Sequence, residues 1–342
     1  MVKLEEVLLA KPKLKYVFIC GKGGVGKTIV AAGLAYHFTS NNEKTLLASL
    51  STLHSLSTIF MQDLTDGNIR PIEGVKNLYA VEVETKDSIK LYKKHMSMKL
   101  ESFLRWANIS LDVKQCINVI TVNPAFQEFV LFNKVIDLIL EGNMRFDKII
   151  FDTASVVNAI QLMKFCRTYR LWLTRIIKSR REALLFKAKS SSKSKIIEEV
   201  KRDPLIAYFI DMNRRFSLAR KVLLNPEETT FFFVTLPSSL SIAVIRRLIE
   251  IAYRFNVPIG GIIVNQVIPK SVGEVKSIVP YVKSRYEEQL RCMRSIMRDL
   301  GDLIVSYIPM YSSEIIGINM VRKVAEDLVR YEPDFICEIK RR

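Results

Sequence analysis

An α/β fold, built on a doubly wound and mostly parallel sheet and carrying an inserted helical subdomain, is predicted by three observations in this chain of 342 residues. Seven short apolar runs recur with helical stretches between them. Two long stretches lack any such run, and a glycine-rich loop stands directly after the first. Short runs alternating with helices are the pattern of strands covered on both faces.

The elements follow in order. KYVFIC (15–20) is the first expected strand, and GKGGVGKT (21–28) follows it and opens a helix. KTLLAS (44–49), NLYAVEV (77–83), DKIIFD (147–152), TFFFVTL (230–236), GGIIV (260–264) and LIVSYI (303–308) read as the remaining strands. Residues 86–145 and 158–225 instead place apolar residues at three- and four-residue intervals among helix formers. The expected organisation is a core in three pieces, 1–85, 146–157 and 226–342, with the helical insertion supplied by 86–145 and the basic 158–225. KAKSSSKSK (187–195) reads as a polar loop within the insertion.

Composition narrows the class. Hydrophobic residues at 49% and charged residues at 25% suit a globular chain with a sizeable core and argue against disorder. No run of 18 apolar residues is free of charge, and MVKLEEVLLAKPKLKY mixes acids with a short apolar run, unlike a secretory leader. A cytoplasmic protein is expected. Cys20, Cys116, Cys166, Cys292 and Cys337 form no C-x-x-C pair and read as reduced thiols, which supports neither a disulfide frame nor a zinc site. Of the net charge of +17, much comes from residues 160–221, where seventeen Lys and Arg face five Asp and Glu. That excess, with Arg167, Arg170, Arg175, Arg180 and Arg181 among its contributors, suits an anionic surface, a membrane receptor or another acidic partner, or else a solvated helical face.

Gly21-x-x-x-x-Gly26-Lys27-Thr28, between a strand and a helix, has the context that a phosphate-binding loop requires. Backbone N–H groups close around phosphate oxygens and the helix N-terminus adds its positive end. Gly21, Lys22, Gly23, Gly24, Val25, Gly26, Lys27, Thr28 and Ile29 are therefore the candidate cofactor-binding loop of a phosphate-loop NTPase, with ATP and magnesium as expected cofactors. Lys27 is placed to reach the β- and γ-phosphates, and the Thr28 hydroxyl to ligate magnesium.

The second lysine, Lys22, makes GKGGVGKT similar to the deviant phosphate loop of a family of dimeric ATPases. That family includes the arsenite-pump, tail-anchored-protein targeting and partitioning ATPases. The resemblance implies a nucleotide-gated homodimer in which Lys22 reaches the partner's nucleotide as a catalytic group; otherwise Lys22 merely solvates the loop. FDTA (151–154) resembles the second switch, which implies that Asp152 holds magnesium through water. IVNQVIP (263–269) resembles the stretch whose asparagine reads adenine, here Asn265 followed by Gln266, and Pro309 corresponds to a residue near the base. GVKNLYAVEVE (74–84), NPEETTFFFVTLP (225–237) and IPMYSSEIIGINMV (308–321) also resemble landmarks of the arsenite-pump and targeting branch, so the likeness covers nearly the whole chain.

Departures from that pattern fall on hydrolysis. Ser51, Thr52, Leu53 and His54, within LLASLSTLHSLSTIF (46–60), stand where the first switch of the family has an acid, proline, alanine and histidine. Ser51 is thus a degenerate catalytic position, since a hydroxyl is a poor base; His54 is either an alternative base or structural. Ser155, Val156, Val157 and Asn158 replace a proline, threonine, glycine and histidine, and Ile29 replaces a second hydroxyl. Val279 and Val282 stand where a zinc-binding pair would be, so no zinc is expected. One ATPase half and no matching cysteine pattern argue against support of arsenite export.

The resemblance implies that the helical subdomain holds the hydrophobic helix of a membrane-protein client. Its apolar residues, Met96, Met98, Leu100, Phe103, Leu104 and Trp106, then Phe126, Phe129, Leu131 and Phe132, and later Leu162, Met163, Phe165, Leu171, Trp172 and Leu173, suit either an adaptable groove or a core. The expected function is therefore an ATP-binding protein, weakly or non-hydrolysing, that handles hydrophobic segments. A pseudo-ATPase regulating an active paralogue and a partitioning-type ATPase binding DNA through the basic helices are the alternatives.

Overall fold

The computed structural model describes residues 3–51, 55–83, 85–107, 124–142, 144–153, 168, 170, 171, 173–179, 181, 182, 203–273 and 280–336. The chain runs through α1 (Leu4–Leu9), β1 (Tyr16–Gly21), α2 (Lys27–Ser40), β2 (Thr45–Ser49), α3 (Ser55–Phe60), β3 (Arg70–Pro71) and β4 (Leu78–Glu82). Next come α4 (Thr85–Ala107), α5 (Pro124–Gly142), β5 (Lys148–Asp152) and α6 (Pro204–Leu223). The last part holds β6 (Thr229–Thr235), α7 (Ser239–Arg254), β7 (Ile259–Val267), α8 (Lys270–Gly273), α9 (Pro280–Leu300), β8 (Ile304–Pro309) and α10 (Ile318–Arg330).

Among the described residues eight strands form one sheet in the order β3-β4-β2-β5-β1-β6-β7-β8. Every pairing is parallel except β3 with β4. All residues of β1, β2, β5 and β6 are buried, which explains why these strands read as unbroken apolar runs. Val17, Ile19, Leu47, Ile150, Phe232 and Val234 join a core with α2 and α10 residues such as Leu34, Val324 and Leu328. The alternating residues lie on the other face, where Phe18 stacks on Phe151 and on Phe231 at centroid distances of 4.5 and 4.6 Å.

Each of the seven predicted runs overlaps one strand. The eighth, β3, has only two exposed residues paired antiparallel with β4, too few to leave a periodic signal. β7 extends to Val267, beyond GGIIV, because a bulge after Val264 shifts its register against β8.

The chain divides into two compact units. Met1–Val83, Gly142–Ile160 and Leu223–Arg342 carry the sheet, and Glu84–Glu141 with Gln161–Val222 form a helical unit. Inside the helical unit Tyr92 packs edge-on against Phe126 and Phe129, and Phe216 against Phe129. The Tyr92 and Tyr208 hydroxyls meet at 3.0 Å, and Arg215 pairs with Asp137. Leu104, Phe126, Phe129, Phe132 and Leu173 are thus core, whereas Met98 and Leu171 are each 54% exposed. Phe103, Trp106, Leu162, Met163, Phe165 and Trp172 lie outside the residues whose side chains are described. Among the described residues no helix is long and apolar enough to cross a membrane.

Candidate functional site

In an open parallel sheet, ligands gather at the carboxyl ends of the strands where the order reverses. Here that point is the end of β1, flanked by β5 and β6. The chain leaves β1 through Gly21, whose hydrogen faces the Val234 carbonyl so closely that a Cβ would approach it to 2.5 Å. It enters α2 through Gly26, held at φ 87° against the Asn265 side chain, where both the backbone angle and the space require glycine. Between them, Gly23 and Gly24 face open space.

Lys27 is only 8% exposed, and its Nζ donates to the Lys22 carbonyl at 3.0 Å, so the ammonium is folded into its own loop. Burial lowers the Lys27 pKa while the nearby Asp152 carboxylate opposes the shift. A cavity of about 550 Å³ opens over the loop. Its walls bring together Gly23, Gly24, Gly26, Lys27, Thr28 and Ile29 with Ser51, Asp152 and Gln266. The Lys22 side chain is exposed and Val25 is buried, and neither lines the cavity.

Asp152 ends β5 and is 1% exposed. One carboxylate oxygen accepts from the Ser49 hydroxyl at 3.4 Å; the other, Oδ1, is buried with no hydrogen-bond partner. Thr28 lies close enough to this carboxylate to favour its charged form. A buried oxygen left over beside a hydroxyl, a lysine and a phosphate-shaped loop fits the hydration shell of a hard divalent cation. Burial pushes the Asp152 carboxyl up to about 6, against the pull of Thr28, Lys27 and Ser49. Its ordinary value is 3.8, so folding takes up a proton between the two. The stabilising contribution is full at low pH and is lost as the pH rises through about 6. Asp152→Asn is therefore expected to stabilise the metal-free chain at pH 8 by about 1–3 kcal/mol, with a smaller gain at pH 5. Urea unfolding with a chelator at both pH values measures this; magnesium and ATP together should reverse the order of the two proteins.

Ser51 lies in the cavity wall, with its backbone N–H donating to the Ser49 hydroxyl at 3.3 Å. Asp152 contributes the only carboxylate to the wall among the described residues. His54 and residues 154–158 of the second switch lie outside the described residues. Sequence reasoning did not assign Ser55, Thr58 and Ile59, which α3 adds to the wall, nor Thr153 and Ile315. Ser55 and Thr58 were visible as hydroxyls three residues apart after the second strand, but only the fold turns them inward.

Asn265 sits beneath the loop and is 3% exposed. Its Nδ2 donates to the Val25 carbonyl at 2.9 Å, and its Oδ1 accepts from the Gln266 N–H at 2.9 Å. This helps hold Gln266 at φ 56° on the bulge, with its side chain in the phosphate cavity and also in a second cavity of about 630 Å³. Leu236, Ile268, Met310 and Tyr311 give the second cavity apolar walls, and Val282 lies in it as well. Gln289 fixes its floor, accepting from the Ile268 N–H at 2.8 Å and donating to the Ile268 carbonyl at 2.9 Å. Asn265 and Pro309 line neither cavity, although Met310, next to Pro309, lines the second. Cys20, behind the loop, is buried and its thiol is pushed up to about 12 by that burial, so it is chemically quiet. Val279, Cys116, Cys166 and Cys337 lie outside the described residues.

A parallel α/β sheet with a glycine loop, a buried lysine and a carboxylate converging at its switch point defines the phosphate-loop NTPases. The chain belongs to the anion-transporting ATPase family, whose model matches residues 14–330. It is 30% identical to ATPase GET3C of Arabidopsis thaliana over 325 residues, which is 90% of this chain and 80% of the relative. ATPase GET3B of the same plant is 29% identical over 332 residues, covering 93% of this chain and 79% of the relative. The putative arsenical pump-driving ATPase 2 of Aquifex aeolicus is 23% identical over 315 residues, covering 92% and 99%.

Proposed function

We propose that the chain is a magnesium-dependent ATP-binding protein that hydrolyses ATP slowly or not at all, and that it acts as a cytoplasmic homodimer handling hydrophobic segments of membrane proteins. The observation that carries the nucleotide reading is the Asp152 Oδ1 left without a partner beside Thr28 and Lys27. Backbone N–H groups of residues 23–27 hold the α- and β-phosphates, and Lys27 turns from the Lys22 carbonyl to the β- and γ-phosphates. Thr28 and Asp152 are the residues that would hold magnesium, which would supply charge neutralisation to the phosphates when bound. The base enters the second cavity past Gln266. There it meets the apolar walls, while Asn265, which lines neither cavity, acts by setting the angle of Gln266.

Slow turnover is supported by the wall itself. Ser51, Ser55 and Thr58 can hold a water by hydrogen bonds but cannot take its proton at neutral pH. The exposed Lys22 is free to reach out of its own loop toward a partner's nucleotide. Exposed Met98 and Leu171 on the helical unit favour a client surface over a closed core, and the GET3-named relatives support the targeting branch.

Calorimetric titration tests the reading. ATP with magnesium should bind in the micromolar range, about −8 kcal/mol, and more tightly than GTP. Absence of binding at millimolar ATP removes the nucleotide reading. A synthetic hydrophobic C-terminal helix retained on the protein at high salt supports the client reading, since apolar burial resists screening. Duplex DNA retained in its place overturns that client reading.

A further inference from the structure

Glu82 is a fully buried carboxylate that ends β4, outside the cavity wall. Its Oε1 accepts from the Leu56 and Ser57 N–H groups at 2.7 and 3.0 Å, and its Oε2 accepts from the Ser57 hydroxyl at 2.8 Å. The same hydroxyl accepts from the Leu64 N–H at 3.1 Å, so one side chain ties down both the start of α3 and the turn after it. The far end of α3 is held separately, by the Gly317 N–H donating to the Ile59 carbonyl at 2.8 Å. This short helix contributes Ser55, Thr58 and Ile59 to the phosphate cavity.

The placement within the sheet gives these bonds a direction. Glu82 and Asp152 stand on either side of Ser49, each paired with it in register across β4, β2 and β5. The Ser49 hydroxyl bonds to Asp152 and accepts from the Ser51 N–H. One row at the carboxyl edge therefore presents one acid to the phosphate cavity and the other to α3, with the Ser51 N–H held between them. Ser55, Thr58 and Ile59 of α3 line the same cavity as Ser51, Asp152 and the glycines of the loop, and such glycines cradle the first two phosphates of a nucleotide.

We propose that Glu82 is a positioning residue for γ-phosphate recognition. By fixing α3 it holds the Ser55 and Thr58 hydroxyls toward the third phosphate, and so sets the preference for ATP over ADP. The inference rests on the nucleotide reading above. An unanchored α3 still leaves the glycine loop, Lys27 and Thr28 intact, so ADP binding survives where ATP binding weakens.

The test compares magnesium-ATP and magnesium-ADP affinities of wild type, Glu82→Gln and Glu82→Ala by calorimetry. Glu82→Ala should lower the ATP-to-ADP affinity ratio about tenfold, the cost of a lost charge-assisted anchor. Glu82→Gln should retain most of the ratio, because its carbonyl oxygen still accepts from Leu56 and Ser57. Amide exchange at Leu56 and Ser57 should quicken in Glu82→Ala alone. A loss of stability with no positioning role would lower both affinities together and leave the ratio unchanged, which overturns the proposal. If Glu82→Ala does not fold, Ser57→Ala removes the hydroxyl link and is read by the same ratio. Failure of wild type to bind ATP sinks the nucleotide reading; wild-type binding with an unchanged ratio in the variants sinks only this inference.

Discussion

Lys27→Ala is expected to weaken magnesium-ATP binding by at least about 100-fold, the largest effect of any single change in the loop. Lys27 is the only cationic side chain that lines the phosphate cavity among the described residues. Charge-assisted hydrogen bonds of this kind are worth about 1.5–3 kcal/mol each, and two phosphates are served. The substitution also strips the Lys22 carbonyl of the donor it holds at 3.0 Å. Calorimetry measures the affinity, and an unchanged circular dichroism spectrum separates a lost ligand from a lost fold. An affinity within threefold of wild type would show that the loop does not bind phosphate through this lysine.

Ser51→Asp should raise ATP hydrolysis by about 100-fold over a very slow wild type, the lower end of what a positioned base contributes. Ser51 is well placed for such a gain, because its backbone is fixed by the Ser49 hydroxyl and its side chain already lies in the cavity wall. Phosphate release under single-turnover conditions gives the rate, with Ser51→Asn as a neutral control of the same shape. Equal rates for the Asp and Asn variants, or a wild-type rate near 10 per second, would place the base elsewhere.

Much of the sheet was legible because burial on both faces leaves uninterrupted runs such as TFFFVTL, and because a glycine loop after such a run has few other uses. What escaped is what neighbouring strands create. Glu82 reads in sequence as an acid within NLYAVEV, and only the fold reveals that it serves α3. Asn265 stands in the sequence only as a candidate reader of a base; its bond to Val25, which spans 240 residues, leaves no local pattern to read. The second cavity is assembled from β6, β7, α9 and β8 with their following loops, so no local pattern announces it.

The bond from Lys27 to the Lys22 carbonyl has a bearing on how firmly any nucleotide can be held. The ammonium does not wait in water for a phosphate; it rests on a surrogate acceptor within the loop. Arrival of the nucleotide is then an exchange of partners, and only the difference between the two bonds adds to affinity. The loop stays shaped around its own carbonyl between visits, which spares the entropy of ordering it each time. A loop of this design trades tightness for readiness: release becomes easy because the lysine always has somewhere to return.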